Sequence, residues 1–289
     1  MRLPRLTFLL VLVIPALLGA AKPVEDRGTV TGPPVRIGLT PALLHYQHSL
    51  NAQWKAYLQE RLRRPVVFVQ RDSYRETMDM LIQNRVDFAW ICSYPYVTLK
   101  DKVNLLVVPM YQGHTTYRSY LIVPDTDTET RSIADLKDKV FAYADPLSNT
   151  GYLAPRFAIK KLGENPDSFF KKTFFTWAHR NVVESVADRL AQGGAVDSYI
   201  WNSLVLINPK LVQRTRVVTQ SAEFGFPPFV AHLAVSKKDF TALQTVLMNM
   251  KSDPEGQEIL KRLNLDGFII GGPRMYDSVA EMARSFGDL

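Results

Sequence analysis

Asp145-Pro146-Leu147-Ser148-Asn149-Thr150-Gly151 is a polar run between two structured segments. The apolar run Lys139-Val140-Phe141-Ala142-Tyr143 before it reads as a buried strand, and Tyr152 to Leu162 after it reads as a helix. A strand, a short polar turn and a helix make a ready anion site. The first amides of a helix have no partner inside it, and the aligned peptide dipoles add partial positive charge there. Ser148 and Thr150 add hydroxyl donors and Asn149 adds an amide. Gly151 is expected to let the backbone approach a ligand closely. The same residues also suit an ordinary helix cap, so the local sequence leaves both readings open.

The run, with Pro155 beyond it, resembles the D-P-x-S-T-S-G-x-x-x-P signature of the phosphate/phosphite/phosphonate-binding proteins of ABC transporters. Further segments resemble that family in order and spacing. Val86-Asp87-Phe88-Ala89-Trp90 followed by Tyr96 is similar to its D-x-A-x-x-G-P-x-x-Y segment, and Phe174 to His179 to its strand ending in a ligand-facing His. Gly193-Gly194-Ala195-Val196-Asp197 resembles its G-A-V-D segment, and Phe226-Pro227-Pro228 its return to the first lobe. The resemblance implies a periplasmic solute-binding protein of type II fold, α/β and two-lobed. Each lobe would be a mostly parallel sheet flanked by helices, and a two-segment hinge would join them.

The implied ligand is a small phosphorus oxyanion, which needs convergent donors and no nucleophile. Ser148 and Gly151 match the family directly, Thr150 replaces a Ser, and Asn149 departs from the usual hydroxyl residue. His179 is implied as a donor to the oxyanion, although a lone His after a strand equally suits a loop residue bonded to backbone. Arg180 beside it would reach the ligand or stay solvated. Asp197 is the odd member, because a carboxylate repels an oxyanion unless a proton lies between them. It would accept a hydrogen bond from a P–OH group and select a monoanion, pair with an ammonium in amine-bearing phosphonates, or sit exposed at a strand end. From the first lobe, Ser93, Tyr94 and Tyr96 would cap the ligand, and Tyr46 would contact it after the first strand. The ligand would pass to an ABC permease. The alternatives are a binding protein feeding a membrane sensor, and an enzyme on the same fold.

The elements that must hold these groups follow from periodicity. Val35–Leu39 and Pro65–Val69 read as strands around a helix in Leu43–Leu62, and Ser73 with Glu76 makes a capping box that opens a helix to about Asn84. Phe88–Cys92 is a third strand, so the order is that of a parallel sheet with right-handed crossovers. A second strand–helix series runs from Val140 to Ile200. Crossings between lobes are expected near Tyr117–Val123 and Pro228–Leu233. The expected organisation is a signal peptide at 1–21, a linker at 22–34, lobe 1 at 35–118 and 232–289, and lobe 2 at 119–231.

Composition agrees with a soluble globule: 289 residues, 46% hydrophobic and 22% charged. Arg2 and Arg5, the apolar Leu6–Leu18 and Gly19-Ala20-Ala21 form a secretory signal, with cleavage expected near Ala20 or Ala21 and a periplasmic destination. The formal charge of +7 is spread thinly, which argues against nucleic acid as a partner. Cys92 is the single cysteine, so no intramolecular disulfide forms. His45 and His48 lack the acidic or thiol neighbours of a zinc site, and neither metal nor cofactor is expected. G-x-S-x-G, Walker and G-x-G-x-x-G motifs are missing, in keeping with a monomeric binding protein and no catalysis.

Overall fold

The computed structural model describes residues 31–41 and 47–289. The expected signal peptide, most of the expected linker, His45 and Tyr46 lie outside the described residues. The strands are β1 (Val35–Leu39), β2 (Val66–Gln70), β3 (Phe88–Trp90), β4 (Val103–Met110), β5 (Thr116–Tyr117), β6 (Ser119–Pro124), β7 (Val140–Tyr143), β8 (Lys172–Phe175), β9 (Gly193–Asp197), β10 (Thr215–Gln220), β11 (Phe224–Gly225), β12 (Phe229–His232) and β13 (Gly267–Ile269).

Two mixed sheets carry the fold, ordered β13-β4-β12-β3-β1-β2 and β10-β6-β9-β7-β8. In each, a strand with parallel neighbours on both sides comes from the strand–helix series read from the sequence. β1 pairs in parallel with β2 and β3, and β7 pairs in parallel with β8 and β9. The remaining pairs are antiparallel: β12 lies between β3 and β4, β13 beside β4, and β6 joins β9 to β10. The parallel part of each sheet was thus expected, and in the first sheet the antiparallel part comes from β12 and β13, which return from the C-terminal part of the chain.

β5 and β11 pair with each other, Tyr117 opposite Phe224 and Thr116 opposite Gly225. One leads the chain out of the first sheet and the other leads it back, which is the two-segment hinge of the type II architecture. The return falls earlier than expected. Residues 229–231, expected in lobe 2, hydrogen-bond to β3 and β4 in the first sheet.

Local signals explain the elements around the site. Ser73 Oγ accepts from Glu76 N at 3.2 Å and Glu76 Oε2 accepts from Ser73 N at 3.2 Å, so the capping box opens the helix Tyr74–Ile82. In the helix His48–Leu62, the buried face is Leu50, Trp54, Tyr57 and Leu58, spaced for one stripe. Trp54 is fully buried, with ring centroids 5.4 Å from Phe68, 6.2 Å from Trp90 and 5.9 Å from Phe229. A smaller core under the second sheet centres on Phe141, stacked on Phe170 at 4.3 Å.

The hinge ribbon tolerates no side chain at Gly225. A Cβ there would lie 2.4 Å from the Met275 carbonyl oxygen and 3.0 Å from its carbon, and backbone cannot swing aside as a side chain does. Gly225→Ala is expected to destabilise the protein by about 1–3 kcal/mol. Urea unfolding checks this, and a midpoint equal to wild type would show that the ribbon moves freely.

Candidate ligand site

The chain leaves β7 at Tyr143 and turns at Asp145, whose Oδ1 accepts from Leu147 N at 2.7 Å while its carbonyl accepts from Ser148 N at 2.8 Å. Ser148 is the N-cap of the next helix, with Oγ accepting from Gly151 N at 2.9 Å. The first turn, Asn149–Leu153, is a π turn closed by Leu153 N on Ser148 O at 3.0 Å, and it runs into the α-helix Ala154–Lys161. Pro155 sits in the first turn of that α-helix, a position Pro tolerates. Single π turns inside helices recur at functional sites.

His179 reaches this turn from the neighbouring connection. After β8 the backbone of Trp177 takes a left-handed conformation, φ 65°, held by its N–H on Ala144 O at 2.7 Å. The chain reverses there, and His179 opens the helix His179–Ala187 with its ring buried. Nδ1 accepts from Asp197 N at 3.1 Å, and Nε2 lies 3.2 Å from Ser148 Oγ. Burial pushes the imidazole down to about 3, so it is neutral at ordinary pH. Because Nδ1 faces a donor, the one ring proton sits on Nε2 and is given to Ser148 Oγ. Ser148 thus accepts two N–H bonds, and its own proton remains to be donated elsewhere.

Gly151 has a different reason from the one expected. A Cβ there would meet Ala144 Cβ at 2.5 Å and His179 Cε1 at 2.9 Å. Its missing side chain makes room for protein atoms that hold the turn against β7 and His179.

Asp197, the last residue of β9, caps the helix Ser198–Ile207 through Oδ1, which accepts from Tyr199 N at 2.8 Å and Ile200 N at 3.3 Å. It is buried, which rules out the exposed strand-end reading. Burial raises its carboxyl to about 7 against the opposing pull of those two amides. The acid lines a small cavity of about 40 Å³ with Thr40, Tyr74 and Cys92 and the rings of Trp90, Tyr199 and Phe226. Among the described residues, no Lys, Arg or His lines it.

Other expected contacts are used differently. Ser93 Oγ donates to Gly225 O at 2.8 Å and so accepts from the Tyr117 hydroxyl, also at 2.8 Å, which in turn accepts from Asn149 Nδ2 at 3.1 Å. Tyr117 and Gly225 are the two hinge strands, so Ser93 and Asn149 tie the site to the hinge. Asn149 N donates to Cys92 Sγ at 3.3 Å, which leaves the first helix amide already engaged. Burial pushes the Cys92 thiol up to about 11. The Tyr94 hydroxyl donates to Asp288 at 2.6 Å, and the Tyr96 ring packs on Tyr276 at 4.5 Å. Neither lines the cavity, because the short helix Ser93–Leu99 turns both rings toward the C-terminal segment. Arg180 pairs with Glu184 at 2.9 Å on the helix surface. Thr150 Oγ1 and Asn149 Oδ1 are buried with no hydrogen-bond partner among the described residues.

Sequence reading missed Asp145 as a contact between the two halves. Its Oδ2 accepts from Tyr74 N at 3.0 Å, the first amide of the helix that Ser73 caps. An acid at a helix N-terminus is a legible pattern within one segment, but these residues are 71 positions apart.

Residues 37–276 match the family described as ABC transporter, phosphonate, periplasmic substrate-binding protein, and the chain belongs to that family. It is 25% identical over 227 residues to the phosphonates-binding periplasmic protein of Escherichia coli (strain K12), covering 75% of this chain and 67% of that one. It is 22% identical over 193 residues to the probable ABC transporter phosphite-binding protein PhnD1 of Prochlorococcus marinus (strain MIT 9301), covering 63% and 65%. Among solved structures it is similar in fold to a binding-protein component of an ABC phosphonate transporter from Pseudomonas aeruginosa, with TM-score 0.80, 19% identity and 86% and 85% coverage. It is also similar in fold to the Prochlorococcus marinus PhnD1 in complex with methylphosphonate, with TM-score 0.78, 19% identity and 89% and 99% coverage.

Two strongly perturbed buried groups at the site contribute to the pH dependence of stability. His179 drops from 6.5 unfolded to about 3 folded, so its contribution is complete above 6.5 and is lost as pH falls toward 3. Asp197 rises from 3.8 to about 7, so its contribution is complete below 3.8 and is lost as pH rises through 7. The two slopes oppose each other between 3.8 and 6.5, so stability should be level there, fall below 3.8, and fall again from 6.5 to about 7. Thermal unfolding from about pH 3 to 8.5 tests this. Asp197→Asn should remove the alkaline slope, and an unchanged slope would show that Asp197 does not titrate there.

Proposed function

We propose that this chain is the solute-capturing component of an ABC transporter, exported through its signal peptide, and that it binds a small phosphorus oxyanion. Phosphonate is the leading class, with phosphite and phosphate beside it. The anion would sit between Asp197, which lines the cavity, and the turn Ser148–Gly151, which is buried and does not line it in this arrangement, so binding would need the lobes to part first. Lobe closure would exclude water and strengthen the few hydrogen bonds made there. Family membership supports the transport role, and one observation at the site carries the ligand class. Thr150 has a buried hydroxyl with no partner among the described residues, and Ser148, two residues before it, keeps a proton to donate. An orphaned buried hydroxyl costs about 1–3 kcal/mol, which an anion oxygen would offset.

The same geometry favours binding over catalysis. A serine nucleophile needs a histidine that accepts its proton while a carboxylate holds the other ring nitrogen. Here the partner of Nδ1 is the Asp197 backbone N–H, so Nε2 is a donor and His179 lacks the lone pair a general base requires.

Ser148→Ala combined with Thr150→Ala should weaken methylphosphonate binding by about 2–4 kcal/mol, the loss of two hydrogen bonds to a charged group. Calorimetry reads this, and undiminished affinity in a folded double variant would sink the site. Asp197 adds a pH signature. With its carboxyl near 7, one proton lies between acid and ligand in mild acid, and binding should weaken as pH rises through 7 and both become anionic. Asp197→Asn should flatten that curve, since an amide donates to either ligand form. Parallel curves for the two proteins from pH 5.5 to 9 would remove Asp197 from the site.

A further inference from the structure

The helix Asp277–Ser285 buries Val279, Met282 and Ala283, spaced three and four residues apart as one stripe. That stripe holds it to the lobe of the first sheet. It packs on the helix Ser93–Leu99, which connects β3 to β4. Just before it, the Tyr276 ring lies 4.5 Å from Tyr96 and the Tyr276 hydroxyl donates to Phe226 O at 2.9 Å. The far end of the helix is also fixed. Gly287 takes φ 80°, its N donates to Arg284 O at 3.0 Å, and Asp288 N donates to Ala283 O at 3.1 Å. Those paired bonds make a Schellman turn, and the turn sets where Phe286 and Asp288 can reach.

The two residues grip opposite lobes. Asp288 Oδ2 accepts from the Tyr94 hydroxyl at 2.6 Å, on the first-sheet side. Phe286 reaches the helix Ala154–Lys161, which lies between β7 and β8 of the second sheet. Its ring centroid is 5.1 Å from the Arg156 guanidinium carbon and 4.9 Å from Lys160 Nζ, and that ammonium also donates to Ser285 O. Arg156 is itself tied to the second lobe, paired with Asp167 at 2.5 Å and 4.9 Å from the Tyr152 ring. From these contacts we propose that Asp277–Asp288 is a strap across the lobe junction, rooted in the first lobe and holding the second through Phe286, which biases the lobes toward this closed arrangement before any ligand binds.

The two grips differ in kind. The root is a buried apolar stripe, whereas Phe286 is only half-buried and Lys160 is exposed. Water can replace cations on such a ring, so opening would release the strap at Phe286 and leave its root in place. Each exposed cation–π contact shifts an equilibrium by about two- to fivefold, and two together by about 5- to 30-fold. That is enough to tip open against closed and small enough for the lobes to part when a ligand enters. The strap acts on closure, so it holds whatever the ligand is.

Electron–electron double resonance without ligand tests this. Nitroxides on Lys55→Cys and Lys171→Cys, both exposed positions, report the distance between the lobes, and buried Cys92 stays unlabelled. The labelled parent should populate the closed distance. Phe286→Ala should raise the ratio of open to closed molecules about 5- to 30-fold, and Lys160→Met about two- to fivefold. Phe286→Trp, a better cation–π face, should lower it. Phe286→Leu keeps apolar packing but removes the ring, and should open the lobes as Phe286→Ala does. It decides the matter together with Lys160→Met if circular dichroism shows Phe286→Ala unfolded. Distance distributions in Phe286→Leu and Lys160→Met that superimpose on the parent overturn the strap, and so does a parent with no closed population.

Discussion

The hydrogen bond from the Asp197 backbone N–H to Nδ1 of His179 constrains more of this site than any other contact. It joins the end of β9 to the start of the helix His179–Ala187, two segments that meet only because β7 lies between β8 and β9. Once that bond is made, the tautomer of His179 follows, and so does the role of Ser148. The residue before the helix must be extended and the one before that left-handed, which is the conformation of Trp177. The turn that Ser148 caps must press against the ring, which excludes a side chain at position 151. Departures from ordinary local preference at 151 and 177 are thus consequences of one buried bond.

A second set of contacts wires this region to the hinge and to the first sheet. Asn149, Tyr117, Ser93 and the Gly225 carbonyl form a chain of donors that runs from the helix start to both strands of the hinge ribbon. Asp145 meets the N-terminus of the helix Tyr74–Ile82, and the Trp90 and Tyr199 rings lie 6.5 Å apart across the same junction. Each of these polar groups is buried where the two halves meet, so each must be paired in this arrangement or solvated when the halves part. The relative placement of the sheets is therefore held by hydrogen bonds that water can replace, as a hinge requires, and not by a continuous apolar seam alone.

Much of this was legible in the sequence. The strand–helix series, the Ser73 capping box and the helix start at Ser148 are local patterns, and local patterns survive in the fold. Sequence reading located Asp197 and His179 but not their use, because burial and the partner of each ring nitrogen depend on long-range packing. Tyr94 and Tyr96 do not line the cavity for a related reason. A three-residue spacing cannot tell which way a short helix turns, and here the C-terminal residues Tyr276 and Asp288 decide it. A return crossing at Pro228–Leu233 was expected where β12 lies, but the sheet partners of β12, and β13 altogether, were out of reach, since each finds its neighbours far away in sequence. Residues 229–231 changed sheets for that reason.

The charge pattern is the remaining step. An anion could be captured most simply by Lys or Arg, yet among the described residues no such side chain lines the cavity, and the acid that does is held near neutrality by burial. A guanidinium would hold sulfate, phosphate and chloride by charge with little distinction among them. Neutral donors of fixed direction reward an oxygen in one place, and a neighbouring carboxyl rewards a ligand that shares a proton with it. On the proposed reading, the protein gives up long-range attraction at the cavity and gains discrimination by shape and proton count. The weak overall positive charge of the chain then supplies attraction at a distance, where it does not blur selection.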